Sequence, residues 1–325
     1  MESNLNMNKI PNNYFREVEF TLQVGCPVGC DFCPQSLFLK KYISHEKKFT
    51  INSFKQALSN LKNSPVKVIQ FSGYSEPVYH ENLPDFINLS VEAEFEVEIF
   101  TTLKGFNTEC LKKVKDLPIK WYISVQPLGV QNRKGLKDEE AWNNIKSFLD
   151  LNLKFQPILR CVNFNLSKDQ KNQLNEKVKK MGIKNILYPN FETRAGNITR
   201  NSINKFEKKL LCKNNMTPVI LPNGDVSLCC MDFGLKHIIG NIFNDSFKNI
   251  LLSDSCQKIL KVMSRKEKGE LLCHHCEFSI QTPVFVPNIY YAELRNIIYN
   301  TVKIILPSGS RRKEKIKAIF EKLVH

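Results

Sequence analysis

Two groups of cysteines carry the chemistry of this chain. Cys26, Cys30 and Cys33 stand in the loop Cys26-Pro-Val-Gly-Cys30-Asp-Phe-Cys33, a C-x3-C-x2-C spacing. Thiolates this close on one loop can bind zinc, act as reactive thiols, or hold three irons of a [4Fe–4S] cube. In the last case the fourth iron has no protein ligand and is open to a small chelating molecule. The second group is Cys212, Cys229, Cys273 and Cys276, in which Cys212, Gly224 and Cys229 read C-x11-G-x4-C and the last two form C-x2-C. Four thiolates can close a second cluster or a tetrahedral zinc site. Cys230, next to Cys229, is an alternative ligand to it. Cys110 and Cys256 fall on apolar helical stripes and Cys161 falls in a strand, so these three read as core. His45, His80, His274 and His275 follow no pattern that selects them as ligands.

The composition agrees with a ligand role for the thiols. Among 325 residues, 42% are hydrophobic and 24% charged, which excludes a disordered or low-complexity chain. Residues 1–16 are polar, and no apolar run reaches the length of a membrane span, so the expected location is cytoplasmic, where disulfides are rare. The net charge of +15 leaves room for an acidic partner. Nucleic acid is not expected, because the aromatic residues fall mostly on periodic core positions, and no P-loop or dinucleotide fingerprint occurs.

Positioning these cysteines requires a scaffold. Strand-like segments at 18–25, 66–72, 95–101, 119–125, 155–162 and 183–188 alternate with amphipathic helical patterns. Phe54, Ala57, Leu58 and Leu61 form one such stripe, and Trp142, Ile145 and Leu149 another. Pro84 opens a helix, Asn107 caps one, and Ser167 with Gln170 reads as a capping box. Six strand–helix units predict a parallel sheet, an α/β fold of partial (β/α)6 TIM-like barrel type, with its chemistry at the C-terminal strand ends. The turn Leu221-Pro-Asn-Gly-Asp225 then predicts a hairpin within a small α+β domain. The expected organisation is a polar segment at 1–16, the barrel at 17–190, a linker at 191–211, a cluster-binding domain at 212–277 and a basic helical tail at 278–325.

The first loop, with aromatic Phe32 before its last cysteine, resembles the signature of the radical S-adenosylmethionine enzymes. The resemblance implies that S-adenosylmethionine chelates the open iron through its amino and carboxylate groups. An electron from the cluster would then cleave it to methionine and a 5′-deoxyadenosyl radical that abstracts hydrogen from a substrate. Ser72-Gly-Tyr-Ser-Glu76-Pro77 resembles the Gly-Glu-Pro motif of that family. It implies that the backbone at Ser72, Gly73 and Ser75 and the carboxylate of Glu76 receive the cofactor's ammonium, although Ser75 stands where a glycine is common. By the same resemblance Ser124 and Arg160 meet the methionine carboxylate and ribose, and Tyr188 lies near the adenine. The second cysteine group resembles the start of a SPASM auxiliary-cluster domain, as do Arg194-Ala-Gly-Asn197 and Gly240-Asn-Ile242. Having no further cysteines, it fits the shorter twitch form, with one auxiliary [4Fe–4S] cluster.

The function expected from this resemblance is hydrogen abstraction from a small-molecule or glycan-like substrate, with dehydrogenation as a natural outcome because an auxiliary cluster can take the second electron. The short segment ahead of the first strand argues for such a substrate over a leader-bearing peptide. Arg194 is the candidate residue for substrate contact, and a flavodoxin or ferredoxin is the implied electron donor. Alternatives are a peptide-modifying maturase and a non-catalytic zinc or iron–sulfur scaffold or nucleic-acid binder. In residues 303–325, seven Lys and Arg face two Glu, so the tail could dock on an anionic membrane surface or an acidic partner.

Overall fold

The strand–helix alternation is realised from residue 17 onward. A computed structural model describes residues 14–282 except 128, 130–132, 163–165, 185, 190–192, 199–208 and 214–215. The elements are β1 (Glu17–Phe20), α1 (Gln35–Lys41), α2 (Ile51–Leu61), β2 (Val68–Phe71), α3 (Leu83–Glu92), β3 (Glu96–Thr101), α4 (Thr108–Lys112) and β4 (Ile119–Ser124). They continue with α5 (Asp138–Leu149), β5 (Ile158–Arg160), α6 (Lys168–Lys180) and β6 (Ile186–Leu187). Of the basic helical tail expected at 278–325, Ser279–Thr282 form a strand, and the part beyond residue 282 lies outside the described residues.

Local signals set the helix starts. Thr50 and Ser53 exchange capping hydrogen bonds at α2, as Ser167 and Gln170 do at α6, and Asn107 accepts from the amides of Glu109 and Cys110 at α4. On α5 the buried stripe is Trp142, Ile145 and Phe148, so Phe148 replaces the expected Leu149. Cys256 is fully buried as expected, whereas Cys110 on α4 is only half-buried. The last two strands of the alternation are shorter than the apolar runs that encode them. β5 keeps three residues and leaves Phe155 exposed, and β6, the last strand of the sheet, keeps two.

β1 to β6 lie side by side in chain order, all parallel. Side chains alternate between the two faces of such a sheet. One face carries the buried apolar residues Phe20, Phe71, Ile99, Ile123 and Leu159. Phe54 of α2 packs on it, its ring 4.9 Å from that of Phe20 and 4.6 Å from that of Phe86. The other face is polar. There Gln70 donates to Glu17 at 3.1 Å and to Glu98 at 3.0 Å, and Lys120 pairs with Glu96 and Glu98.

The segment after residue 208 adds β7 (Lys209–Cys212), β8 (Val219–Ile220), β9 (Asp225–Ser227), β10 (Ile238–Asn241), α7 (Phe247–Leu252), α8 (Asp254–Met263) and β11 (Ser279–Thr282). Its hairpin, β8 antiparallel to β9, does not form a sheet of its own. β8 runs parallel to β1, with Glu19 opposite Val219 and Phe20 opposite Ile220, so one nine-stranded sheet runs β10-β9-β8-β1-β2-β3-β4-β5-β6. Residues 14–281 form one compact unit. The result is a mixed α/β fold on a large parallel sheet, and the second cysteine group is tied to the first strand by main-chain hydrogen bonds. Among the described residues, no helix is long and apolar enough to cross a membrane.

Candidate active site at the strand ends

The first cysteine loop leaves the end of β1, and its three thiols sense one another. Burial pushes Cys26 up to about 12 and Cys33 up to about 11, and Cys30 is raised for the same reason. Two guanidinium groups oppose this. Arg133 lowers the pKa of Cys30 by its charge and a hydrogen bond, and Arg194 acts on both Cys30 and Cys33. Cations beside a thiol set favour thiolates, the form that binds metal. Phe32 is half-buried in the same loop.

The loop after β2 is folded down onto β1. Ser72 Oγ and the Gly73 amide both donate to Glu19 Oε2, at 2.7 and 2.9 Å, and the Tyr74 amide donates to Thr21 Oγ1 at 3.0 Å. Gly73 has φ +61°, and a Cβ there would stand 2.2 Å from Thr21 Oγ1, so only glycine fits. Glu76 is buried, and burial raises its carboxyl against hydrogen bonds from Thr101 and Thr102. The Thr102 amide donates to it at 2.8 Å and the Thr102 hydroxyl at 2.6 Å. Its charge acts on Cys26 and Cys30, which puts the motif beside the first thiol set.

The later strand ends are less uniform. Ser124 and Arg160 are register partners on β4 and β5, and the Ser124 carbonyl accepts from Arg133 Nη1 at 3.0 Å. The Arg160 guanidinium lies 5.1 Å from the centre of the Phe100 ring, which stacks on Tyr122 at 4.5 Å. Arg160 is therefore on the polar face, while Arg133 is the arginine beside the cysteines. Tyr188 has its hydroxyl on α6. Its hydroxyl donates to Asn175 Oδ1 at 2.7 Å and to the Lys171 carbonyl at 3.3 Å, because one residue past a two-residue strand the ring is held on α6. His80 is buried against the Phe86 ring and takes no part.

The second thiol set gathers around the hairpin. Burial raises Cys229 well above the usual thiol range, and Cys230, Cys273 and Cys276 raise it further; Cys273 in turn senses Cys212 and Cys276. Cys273 is thus within electrostatic reach of Cys212, Cys229 and Cys276. Gly224 permits the turn between the first two: its φ is +83°, and a Cβ would meet Phe243 at 2.4 Å and Asn241 Oδ1 at 2.6 Å. Asn241, from the Gly240-Asn-Ile242 segment, donates to the Asn223 carbonyl at 3.0 Å. Asn197 Nδ2 donates to the Met231 carbonyl at 2.8 Å, which binds the Arg194–Asn197 turn to the residues after Cys230. In the fold the charge of Arg194 acts on Glu19. Residues the sequence does not single out are Glu19, Thr101, Thr102 and Arg133. Only the register of β1 to β4 and the return of the β4–α5 connection bring them here.

The chain is a protein of the α/β class with one thiol set after the first strand of a parallel sheet and a second set around the hairpin added to that sheet. Residues 212–277 match the SPASM family model, an iron-sulfur cluster-binding domain. The chain is 22% identical over 273 residues to the S-adenosyl-L-methionine-dependent 2-deoxy-scyllo-inosamine dehydrogenase of Niallia circulans, a span of 82% of this chain and 95% of that one. Its fold is similar to the crystal structure of BtrN in complex with AdoMet and 2-DOIA, with TM-score 0.52, 17% identity, and coverage of 84% of this chain and 96% of that one. It is also similar to SuiB of Streptococcus suis bound to its precursor peptide SuiA, with TM-score 0.61, 15% identity and coverage of 82% and 70%. These matches support a radical S-adenosylmethionine enzyme with a SPASM domain. An enzyme is supported over a non-catalytic scaffold.

Its cofactors are [4Fe–4S] clusters and S-adenosylmethionine. The side chains suit them. Gln35 Nε2, Ser75 Oγ and Arg133 Nε are buried without a hydrogen-bond partner at the edge that holds the first thiols. Buried polar atoms of this kind are normally satisfied, and a polar cofactor would satisfy them. Among the described residues no three His, Cys, Asp or Glu side chains converge as on a single metal ion. The cysteines of a cube stand on four separate irons, farther apart than ligands of one ion.

Proposed function

We propose that this enzyme dehydrogenates a small, polar, glycan-like substrate by hydrogen abstraction at a carbinol carbon. Sheet strands β1 to β6 are read as the partial (β/α)6 barrel, with Cys26, Cys30 and Cys33 holding the first cluster and Cys212, Cys229, Cys273 and Cys276 the auxiliary one. When bound, these groups supply a 5′-deoxyadenosyl radical that takes one hydrogen atom and an iron–sulfur acceptor for one electron. The alcohol's remaining proton is released as its carbon becomes a carbonyl, so atoms and electrons balance.

The observation that carries this reading is Arg194, whose guanidinium acts on Cys30 and Cys33 of the first set while its Nη1 lies 4.0 Å from the sulfur of Met231, two residues from Cys229. A cation between the two thiol sets suits an oxygen that gains negative charge as its proton leaves. Arg133, buried with an unsatisfied Nε, suits the carboxylate of S-adenosylmethionine. Ser72, Gly73, Ser75 and Glu76 would hold its ammonium, with Thr101 and Thr102 fixing the Glu76 carboxylate. The named relative, a dehydrogenase of an aminocyclitol, supports the substrate class. The resemblance to SuiB favours a peptide as the second reading.

The test is anaerobic reconstitution followed by reduction with S-adenosylmethionine. 5′-Deoxyadenosine is expected, and Cys30→Ala should abolish it while the auxiliary cluster remains. Aminocyclitols and hexose derivatives are then screened for loss of two hydrogens and appearance of a carbonyl. Turnover of peptides alone would sink the small-molecule reading.

A further inference from the structure

One buried carboxylate collects groups from four parts of the chain. Glu19 of β1 accepts from Ser72 Oγ and the Gly73 amide, hydrogen-bonds the Cys230 thiol, and feels the charge of Arg194. Ser72 and Gly73 belong to the cofactor loop, Cys230 follows an auxiliary-cluster cysteine, and Arg194 lies between the two thiol sets. Burial raises its pKa, and these donors and the Arg194 charge act against that rise.

Cys229 and Cys230, though adjacent, have different surroundings. Cys229 senses Cys230, Cys273 and Cys276. Cys230 packs against the apolar group of Ala195, Met231 and Leu272, as Cys229 and Cys276 do, and also against the group that contains Phe38 and Tyr74, on which Cys33 packs. Its thiol is already engaged on the Glu19 side. A second tie runs parallel to the first: Tyr74 Oη donates to the Cys229 carbonyl at 3.2 Å.

We propose that Cys230 stays outside the auxiliary cluster, and that Glu19, by holding Cys230 together with Ser72 and Gly73, is a positioning residue that fixes the auxiliary-cluster turn against the cofactor loop. This rests on the ligand assignment proposed above. It gives β1 a role that its apolar pattern does not suggest: one side chain sets the relation between the two iron sites. It also favours Cys229 over Cys230 as the ligand, because the Cys230 thiol is engaged by Glu19.

The experiment uses the reconstituted full-length protein. Cys230→Ala should keep the wild-type iron content and the spectrum of the reduced auxiliary cluster, whereas Cys229→Ala should lose that spectrum. Glu19→Gln should keep iron but bind S-adenosylmethionine about tenfold more weakly, from the loss of charge-assisted hydrogen bonds. It should also blunt the change that S-adenosylmethionine causes in the electron paramagnetic resonance spectrum of the first cluster. Melting curves of the cluster-loaded variants separate this from a general loss of folding. Loss of the auxiliary cluster in Cys230→Ala, or a wild-type cofactor response in Glu19→Gln, would overturn the proposal. Zinc in place of iron in the wild type would overturn the ligand assignment and the proposal together.

Discussion

Tyr74 Oη donates a hydrogen bond to the Cys229 carbonyl at 3.2 Å, which ties the loop after β2 to the turn of the second thiol set. The ring itself is buried, 4.5 Å from Phe233 and 4.7 Å from Phe38, so its position is set by packing and the hydroxyl adds direction. Tyr74→Phe keeps the packing and removes only the donor. The expected cost is about 1 kcal/mol of stability, the usual worth of one such bond. The auxiliary cluster of that variant should release iron to a chelator faster than the wild type, while the first cluster is unchanged. Equal release rates would show that the bond does not secure the Cys229 turn.

Gly73 offers a sharper test of the cofactor loop. Its positive φ, and the 2.2 Å that would separate an added Cβ from Thr21 Oγ1, leave no space for alanine. Gly73→Ala should lower stability by about 1–3 kcal/mol, the cost of a strained backbone position. Displacing the loop also breaks the amide contact to Glu19, so affinity for S-adenosylmethionine should fall alongside. A urea melt and a binding titration check the two effects. Gly129, whose φ is also positive but whose Cβ would meet nothing within 4 Å, is the control, and Gly129→Ala should bind the cofactor normally.

Much of this arrangement is legible in the sequence because it is local. The cysteine spacings, the capping boxes at α2 and α6, and the turn around Gly224 depend on residues close in the chain, and chemistry constrains each of them. What is not legible depends on register. Glu19 reads as one polar position in an alternating strand, and only the pairing of β1 with both β2 and β8 sets it between Gly73 and Cys230. The same pairing makes the hairpin part of the main sheet, although the cysteine count alone points to a separate domain. Arg133 follows a connection with no regular pattern, so nothing in its neighbourhood marks it. Tyr188 follows a strand of only two residues, and the hydrogen bonds of its hydroxyl to α6 are likewise not legible in the sequence.

Arg133 makes a prediction separable from cluster assembly. Its guanidinium is buried, donates to the Ser124 carbonyl and touches Cys30, with Nε left over. Arg133→Lys keeps a charge but cannot reproduce a planar fork. Binding of S-adenosylmethionine should weaken about tenfold to a hundredfold, the range for a lost charged hydrogen bond. Iron content after reconstitution should stay near the wild type, because the three thiols are untouched. Unaltered binding, measured by isothermal titration under anaerobic conditions, would remove Arg133 from the cofactor site.

His80 allows a prediction about pH. It is buried against Phe86, its Nδ1 accepts from the Asn82 amide at 3.2 Å, and burial holds its pKa below the ordinary 6.5. The charged groups that act on it are Glu81, which raises it, and Lys48, which lowers it. A neutral imidazole in the fold means that the unfolded chain binds the proton more readily. Stability from this residue is therefore present above the ordinary value near 6.5 and is lost as pH falls below it. His80→Asn keeps an acceptor for the Asn82 amide but does not titrate. Its urea midpoint should lie at or below that of the wild type at about pH 7.5, where the wild-type imidazole is neutral in both states. The gap should close, or reverse in favour of the variant, when both are measured at about pH 5.5, where the unfolded imidazole is charged. Parallel midpoints at the two pH values would mean that His80 takes up its proton as easily folded as unfolded.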